Sequence, residues 1–297
     1  MTDNKKLRIG LIANRSHQDA PNSALVQLLR GAGPALQHLQ AEMVIVGRTL
    51  DAIIGHGLVE NCPLIERFPY GRDGGLMKLV SRVVDSTPEL AIDAVIYLID
   101  PVDPSSVFPE AQALKRQCVI HRKPFLATLA SAREWLELEA KAAGAEADVT
   151  LNSSFVLAQE GIALIAHDAM KQRMLAMAEK HFAVLDRFGY RYATGTTGGL
   201  LNQLAQKIKG EEAGKNWVKP YLSGPMGGDA QLAELVLDRK IRRILFLEDP
   251  HVARQHEADI QLLERAARTV TDYAQVVSEV DGADRWLSLL TQRITAN

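Results

Sequence analysis

LRIGLIAN, residues 7–14, is a run rich in Ile and Leu with one charged residue, Arg8, near its start and a turn-forming Asn at its end. It is too short for a buried helix and too continuously apolar for a half-exposed strand. A strand covered on both faces reads this way. Five further runs have the same character: EMVIVG (42–47), AVIYLID (94–100), GIALIAH (161–167), YRYATG (190–195) and RRILFLED (242–249). Longer segments of helical period separate them, and such alternation builds a parallel sheet flanked by helices, so the expected class is α/β. Most of the runs end at Gly, Asn, His or Asp. Polar groups at the carboxyl ends of parallel strands face the crevice in which open α/β sheets bind ligands.

The runs also repeat. IGLIA (9–13) returns as IALIA (162–166) after 153 residues, and Asp100-Pro101 returns as Asp249-Pro250 after 149. Gly71-Arg72-Asp73 matches Gly227-Gly228-Asp229 at an offset of 156, with an amphipathic Leu- and Val-rich stretch after each. Unrelated α/β units would share strands but not turns, so the repeat implies two tandem, Rossmann-like copies of one domain. The expected domains are 1–140 and 155–297, joined within 138–158, where periodicity fades. A chain of 297 residues with 47% apolar content can fill two cores of that size.

Basic and acidic residues, 34 and 36 of them, are interspersed and leave a net charge of −2. Neither sign forms a polyelectrolyte tail, which argues against nucleic acid as the partner. Cys62 and Cys118 have neither metal-type spacing nor the number for a disulfide framework. The opening MTDNKKLRIGLIANRS lacks an apolar signal run, and no stretch reaches the roughly 18–20 apolar residues of a membrane span. The expectation is a cytoplasmic protein with no membrane partner.

Two turns carry chemistry. Thr194-Gly195-Thr196-Thr197-Gly198-Gly199 lies between a strand and the helical pattern LLNQL. Free amides and the positive dipole end at such a helix start hold anions, and hydroxyls add donors for phosphate oxygens. The same residues also read as a tight turn in which a Thr caps the helix. Ser223-Gly224-Pro225-Met226-Gly227-Gly228-Asp229 opens a second helix. Its glycines admit a small ligand and would set Asp229 near a substrate carbon, unless Asp229 is only an N-cap. A free Asp titrates near about 3.9, so a useful base needs burial or neighbouring charge, for which Asp168 and Asp249 are candidates. His167 and Asp168 close a strand, and Lys171 follows within reach of a bound phosphate. His251 and His256 share one loop, and the spacing does not choose between them. No metal-type His or Cys spacing accompanies these residues.

The series AHDAMK (166–171), YATGTTGGLL (192–201), LSGPMGGD (222–229) and LEDP (247–250), followed by His256 and Asp259, resembles the methylglyoxal synthase family in order and spacing. Related domains of carbamoyl-phosphate synthetase and of the purine enzyme with inosinicase activity share the fold without the full set. The resemblance implies a carbon–oxygen lyase that eliminates phosphate from dihydroxyacetone phosphate, without metal or cofactor, in a homo-oligomer. It makes Asp229 the proton-abstracting base and His256 the second catalytic group. His167, Lys171, Thr194, Gly195, Thr196, Thr197, Ser223 and Gly224 become substrate-binding residues, with Asp168, Asp249 and Asp259 as supporting carboxylates.

Three departures qualify the match: KIKGEEAGKNWVKP (207–220) reads as an insertion, the family's C-terminal segment and its phosphate-assisting arginine are missing, and a second copy stands in front. That first copy reads as degenerate, with Asn14 for His167, Arg15 for Asp168, Gln18 for Lys171, Val46 for Thr194 and Arg48 for Thr196, while Thr49 and Asp73 persist. A packing role, or a sensor for another anion through Arg15, Arg48 or Arg72, are its two readings. For the whole chain the alternatives to the lyase are an allosteric binding protein for a phosphorylated metabolite and a sugar-phosphate isomerase.

Overall fold

Every residue of β1 (Arg8–Ala13) is buried, as the apolar run that follows Arg8 requires. In the computed structural model, which describes residues 6–249, 251 and 257–295, four parallel strands join it. They are β2 (Glu42–Val46), β3 (Leu64–Phe68), β4 (Ala94–Leu98) and β5 (Phe125–Leu126), in the order β3-β2-β1-β4-β5. Helices α1 (Ala24–His38), α2 (Gly47–Gly55), α3 (Gly75–Val84), α4 (Pro109–Ile120) and α5 (Leu129–Ala142) cover the sheet. Leu25, Leu29 and Leu136 pack with Leu11 and Ile45 in one apolar cluster, and Leu79, Leu114 and Cys118 pack with Val44, Phe68 and Tyr97 in another.

The chain divides into two units between Asp148 and Val149. The second contains β6 (Gly161–Ala166), β7 (Tyr190–Ala193), β8 (Lys219–Pro220), β9 (Arg243–Leu247) and β10 (Gln275–Val277), also all parallel. Its helices are α6 (Lys171–Lys180), α7 (Phe182–Leu185), α8 (Gly195–Lys209), α9 (Glu211–Gly214), α10 (Gly228–Leu237), α11 (Glu257–Thr269) and α12 (Val280–Thr295). Read from the matching edge, the order is β8-β7-β6-β9-β10, the topology of the first sheet. Among the described residues no helix is long and apolar enough to cross a membrane.

This equivalence corrects one sequence match. A left-handed glycine opens the third helix of the first unit, Gly74 at φ 86°, as Gly227 at φ 98° opens α10. The next glycines are held alike: the Gly75 amide bonds Tyr70 O and the Gly228 amide bonds Ser223 O, each at 3.0 Å. A Cβ would lie 2.2 Å from Pro69 O in the first case and 2.0 Å from Leu222 O in the second. Asp229 therefore corresponds to the buried Leu76, and Asp73 belongs to a turn matching Gly224–Met226. Matching Gly-x-Asp by letters had shifted the alignment by three residues.

The segment 207–220 is built into the second sheet. It supplies the end of α8, all of α9 and the edge strand β8, whose Lys219 and Pro220 pair with Tyr192 and Ala193. Trp217 is buried, stacks on Phe182 at 4.6 Å and donates its indole N–H to Asp186 Oδ1 at 2.8 Å. Asn202 clamps the same segment, donating to Val218 O at 3.0 Å and accepting from Val218 N–H at 2.8 Å.

Between β10 and α12, Glu279 is 6% exposed and its Oε1 has no hydrogen-bond partner. Gly282 makes the space, since a Cβ there would fall 1.6 Å from Oε1. Burial pushes the Glu279 carboxyl up to about 7, with repulsion from Asp281 and Glu248 adding to it. The folded value exceeds the ordinary 4.5, so the folded state binds this proton more tightly than the unfolded chain. The resulting cost to stability is absent at low pH, develops as pH rises from 4.5 toward 7 and is complete above that range. Glu279→Gln should therefore match the parent near about pH 4 and exceed it by up to about 3 kcal/mol near pH 8 in urea denaturation. Equal gains at both pH values would show that the carboxyl is not the cause.

Candidate active site

Where β7 ends, Thr194 is extended at φ −70°, ψ 153° and α8 begins at Gly195. Thr194 makes no side-chain cap bond, so the first threonine does not serve as a helix cap. The Gly195 amide bonds Leu222 O at 3.0 Å and the Gly198 amide bonds Thr194 O at 2.8 Å. A helix start leaves the intervening amides of Thr196 and Thr197 outside the intrahelical ladder, at the positive end of the helix dipole. Thr196 is exposed. Thr197 is 2% exposed, and its Oγ1 is buried without a hydrogen-bond partner. A buried hydroxyl left unmatched in a folded protein marks a place for a ligand or water.

The Asp229 turn lies against this helix start. Gly227, not Asp229, caps α10, and Asp229 stands second in the helix, 5% exposed. The capping explanation for Asp229 is thereby removed. A carboxylate in a first helical turn is favoured by the dipole. A Cβ on Gly224 would come 2.9 Å from Asp229 Oδ2, and one on Gly195 would come 3.0 Å from Tyr221 O and 3.2 Å from Ser223 N. Glycine at 195 lets the two turns meet backbone to backbone, and glycine at 224 leaves room for the Asp229 carboxylate. Ser223 O receives the amides of Met226 and Gly228, and Gln231 Oε1 accepts the Leu222 amide at 3.1 Å. Gln231 and Asn202 are positioning groups that the sequence did not reveal; a lone amide on a helix carries no recognisable signal.

At the end of β6, the His167 amide bonds Leu247 O at 3.1 Å, and its ring lies edge-on to Phe246 at 5.1 Å. Its Nδ1 accepts the Asp249 amide at 2.9 Å, which puts the proton of the neutral ring on Nε2. Asp249 Oδ1 in turn accepts the His251 amide at 3.0 Å. The Asp168 carboxylate, 94% exposed, is hydrogen-bonded by the Lys171 ammonium. That hydrogen bond and the ammonium's charge hold the Asp168 carboxyl below the usual carboxylate range. Arg293 is held elsewhere: 1% exposed, it donates to Asn152 Oδ1 at 2.6 Å and lies over Phe155 at 4.7 Å. His256 and the side chain of Asp259 lie outside the described residues.

No family model matches the chain. Methylglyoxal synthase of Thermus thermophilus is 42% identical over 106 residues, 36% of this chain and 76% of that protein. Methylglyoxal synthase of Burkholderia mallei (strain SAVP1) is 40% identical over 136 residues, 46% of this chain and 95% of that one. Among solved structures, methylglyoxal synthase from Elizabethkingia anophelis is 32% identical and covers 45% of this chain and 80% of its own, with a TM-score of 0.35.

The unmatched Thr197 hydroxyl gives a test independent of any assay. Thr197→Val keeps the shape and removes a buried polar atom, so the ligand-free protein should gain up to about 1 kcal/mol in denaturant. A clear loss of stability would mean that the hydroxyl already has a strong partner.

Proposed function

The chain belongs to the methylglyoxal synthase family, and we propose on that premise that its second unit eliminates phosphate from dihydroxyacetone phosphate, releasing methylglyoxal and inorganic phosphate. The observation carrying the proposal is the contact of two turns: the helix start at Thr194–Thr197 is tied through the Gly195 amide to Leu222, next to the turn that buries Asp229. An anion held at the first lies beside a carboxylate at the second.

In the proposed reaction the free amides of the α8 start, the hydroxyls of Thr196 and Thr197 and the Lys171 ammonium hold the phosphate. Lys171 leaves Asp168 to do so. Asp229 takes a proton from C3, the hydroxymethyl carbon, and the electron pair moves into a C2–C3 double bond, leaving charge on the C2 oxygen. His256 hydrogen-bonds that oxygen, with His167, Ser223 and Gly224 orienting the substrate. The phosphate grip keeps the C1–O bond out of the enediolate plane, where it overlaps the π system. The C1–O bond breaks as the C3 hydroxyl gives its proton to the departing phosphate and becomes the aldehyde, the double bond shifts to C1–C2, and the enolate left behind takes up a proton on C1, in exchange for the one Asp229 removed, to become methylglyoxal. None of these steps requires a cofactor. Homo-oligomeric assembly and a cytoplasmic location complete the proposal and rest on family membership.

Purified protein incubated with dihydroxyacetone phosphate should release phosphate and methylglyoxal in equal amounts. Asp229→Asn should retain phosphate binding and lose turnover by about 10²–10⁴-fold, the usual contribution of a positioned base. Glyceraldehyde phosphate as the product would make the protein an isomerase, and tight binding without product would make it a binding protein; either result overturns the lyase.

A further inference from the structure

The first unit repeats the backbone of this site closely. The second helix starts directly after β2 as α8 starts after β7, with Val46 and Gly47 in the places of Thr194 and Gly195. The Gly47 amide bonds Pro69 O at 3.2 Å, as the Gly195 amide bonds Leu222 O. A Cβ on Gly47 would meet Tyr70 N at 3.2 Å and Phe68 O at 3.3 Å, the counterparts of the Ser223 and Tyr221 backbone around Gly195. Thr49, 1% exposed, occupies the place of Thr197.

The two threonines differ in what touches them. Thr197 Oγ1 has no hydrogen-bond partner, and Lys171, nearest to it in the homologous scheme, is turned to Asp168. Thr49 Oγ1 accepts from the Ala13 amide at 3.1 Å and from Gln18 Nε2 at 3.2 Å. Gln18 stands in the place of Lys171. It is 2% exposed and also donates from Nε2 to Ala13 O. Its own Oε1 is buried without a partner. The carboxamide thus fills the first unit's crevice with a donor directed at the threonine, while its carbonyl lies in a space that offers it no donor. Leu76 fills the place of Asp229 with an apolar side chain.

We infer that the first unit retains the anion crevice of this fold in occluded form, with the Gln18 carboxamide as its internal occupant. The inference rests on reading the second unit's crevice as a phosphate site. While Gln18 is in place, each chain takes one phosphate-type anion. Shortening Gln18 exposes the Thr49 hydroxyl and the start of the second helix, with the Arg48 guanidinium beside it, 3.7 Å from Asp19. Phosphate monoesters and inorganic phosphate are the ligand class that this opening would admit. Chemistry does not return with binding, because Leu76 offers no base.

Titration calorimetry of the full chain with inorganic phosphate tests this. The parent should bind one phosphate per chain, Thr197→Val should bind none, and Gln18→Ala should bind two. Turnover of dihydroxyacetone phosphate in Gln18→Ala should stay within about two-fold of the parent, since Gln18 lies outside the proposed catalytic unit. Two phosphates on the parent, or one on Gln18→Ala, would overturn the occluded site and leave the lyase standing. A parent that binds none and forms no product would overturn the lyase reading itself. Should Gln18→Ala fail to fold, the side-chain amide resonances of Gln18 in the parent decide: they should stay in place as phosphate saturates the protein, and a shift would show that ligand enters the first crevice.

Discussion

The backbone hydrogen bond from the Gly195 amide to the Leu222 carbonyl, with the one from the Tyr221 amide to the Ala193 carbonyl, ties the ends of two neighbouring parallel strands together. Everything proposed for the second unit follows from it. A side chain at Gly195 would press on the Tyr221 and Ser223 backbone, and one at Gly224 would press on the Asp229 carboxylate. Held this close, the start of α8 and the turn that buries Asp229 are neighbours, as the proposed reaction requires. Asn202 and Trp217 act further out: they anchor the edge strand from which the Asp229 turn departs.

The central strands were legible because burial on both faces leaves an unbroken apolar run, as in LRIGLIAN and GIALIAH. The edge strands were not. LIERF at 64–68 mixes charge with apolar residues because it is covered less completely, and Lys219-Pro220 is two residues long with a proline that reads as a loop. The site residues were visible as types, but their roles depended on geometry. Whether Asp229 caps a helix turned on the left-handed conformation of Gly227, and whether Thr194 does turned on a hydrogen bond it lacks. Letters alone also placed Asp73 opposite Asp229, and only the left-handed Gly74 followed by Gly75, whose amide bonds Tyr70 O, identified Leu76 as the counterpart. Gln18 was recognisable as a replacement for Lys171. That it turns inward onto Thr49 is a packing fact with no sequence signature.

The two units therefore show one scaffold under different demands. The second leaves a hydroxyl unmatched in its interior, a stability cost that a binding site tolerates when its ligand supplies the missing partner. The first satisfies the matching hydroxyl twice and carries leucine where the second has the acid. A fold can keep its core after a site is lost, because strand burial and site chemistry depend on different residues.

Gly282 and Glu279 extend this to how such a chain can change. In the first unit the matching positions are Ser131 and Thr128, two medium side chains whose hydroxyls bond at 2.8 Å in the first turn of α5. In the second unit one position carries a long acid and the other no side chain at all. The combined volume, rather than either residue, is what the helix entrance accommodates. An alanine at 282 forces the buried Glu279 carboxyl to move, whereas a shorter side chain at 279 leaves the room free, so the cost of changing these two positions depends on which changes first.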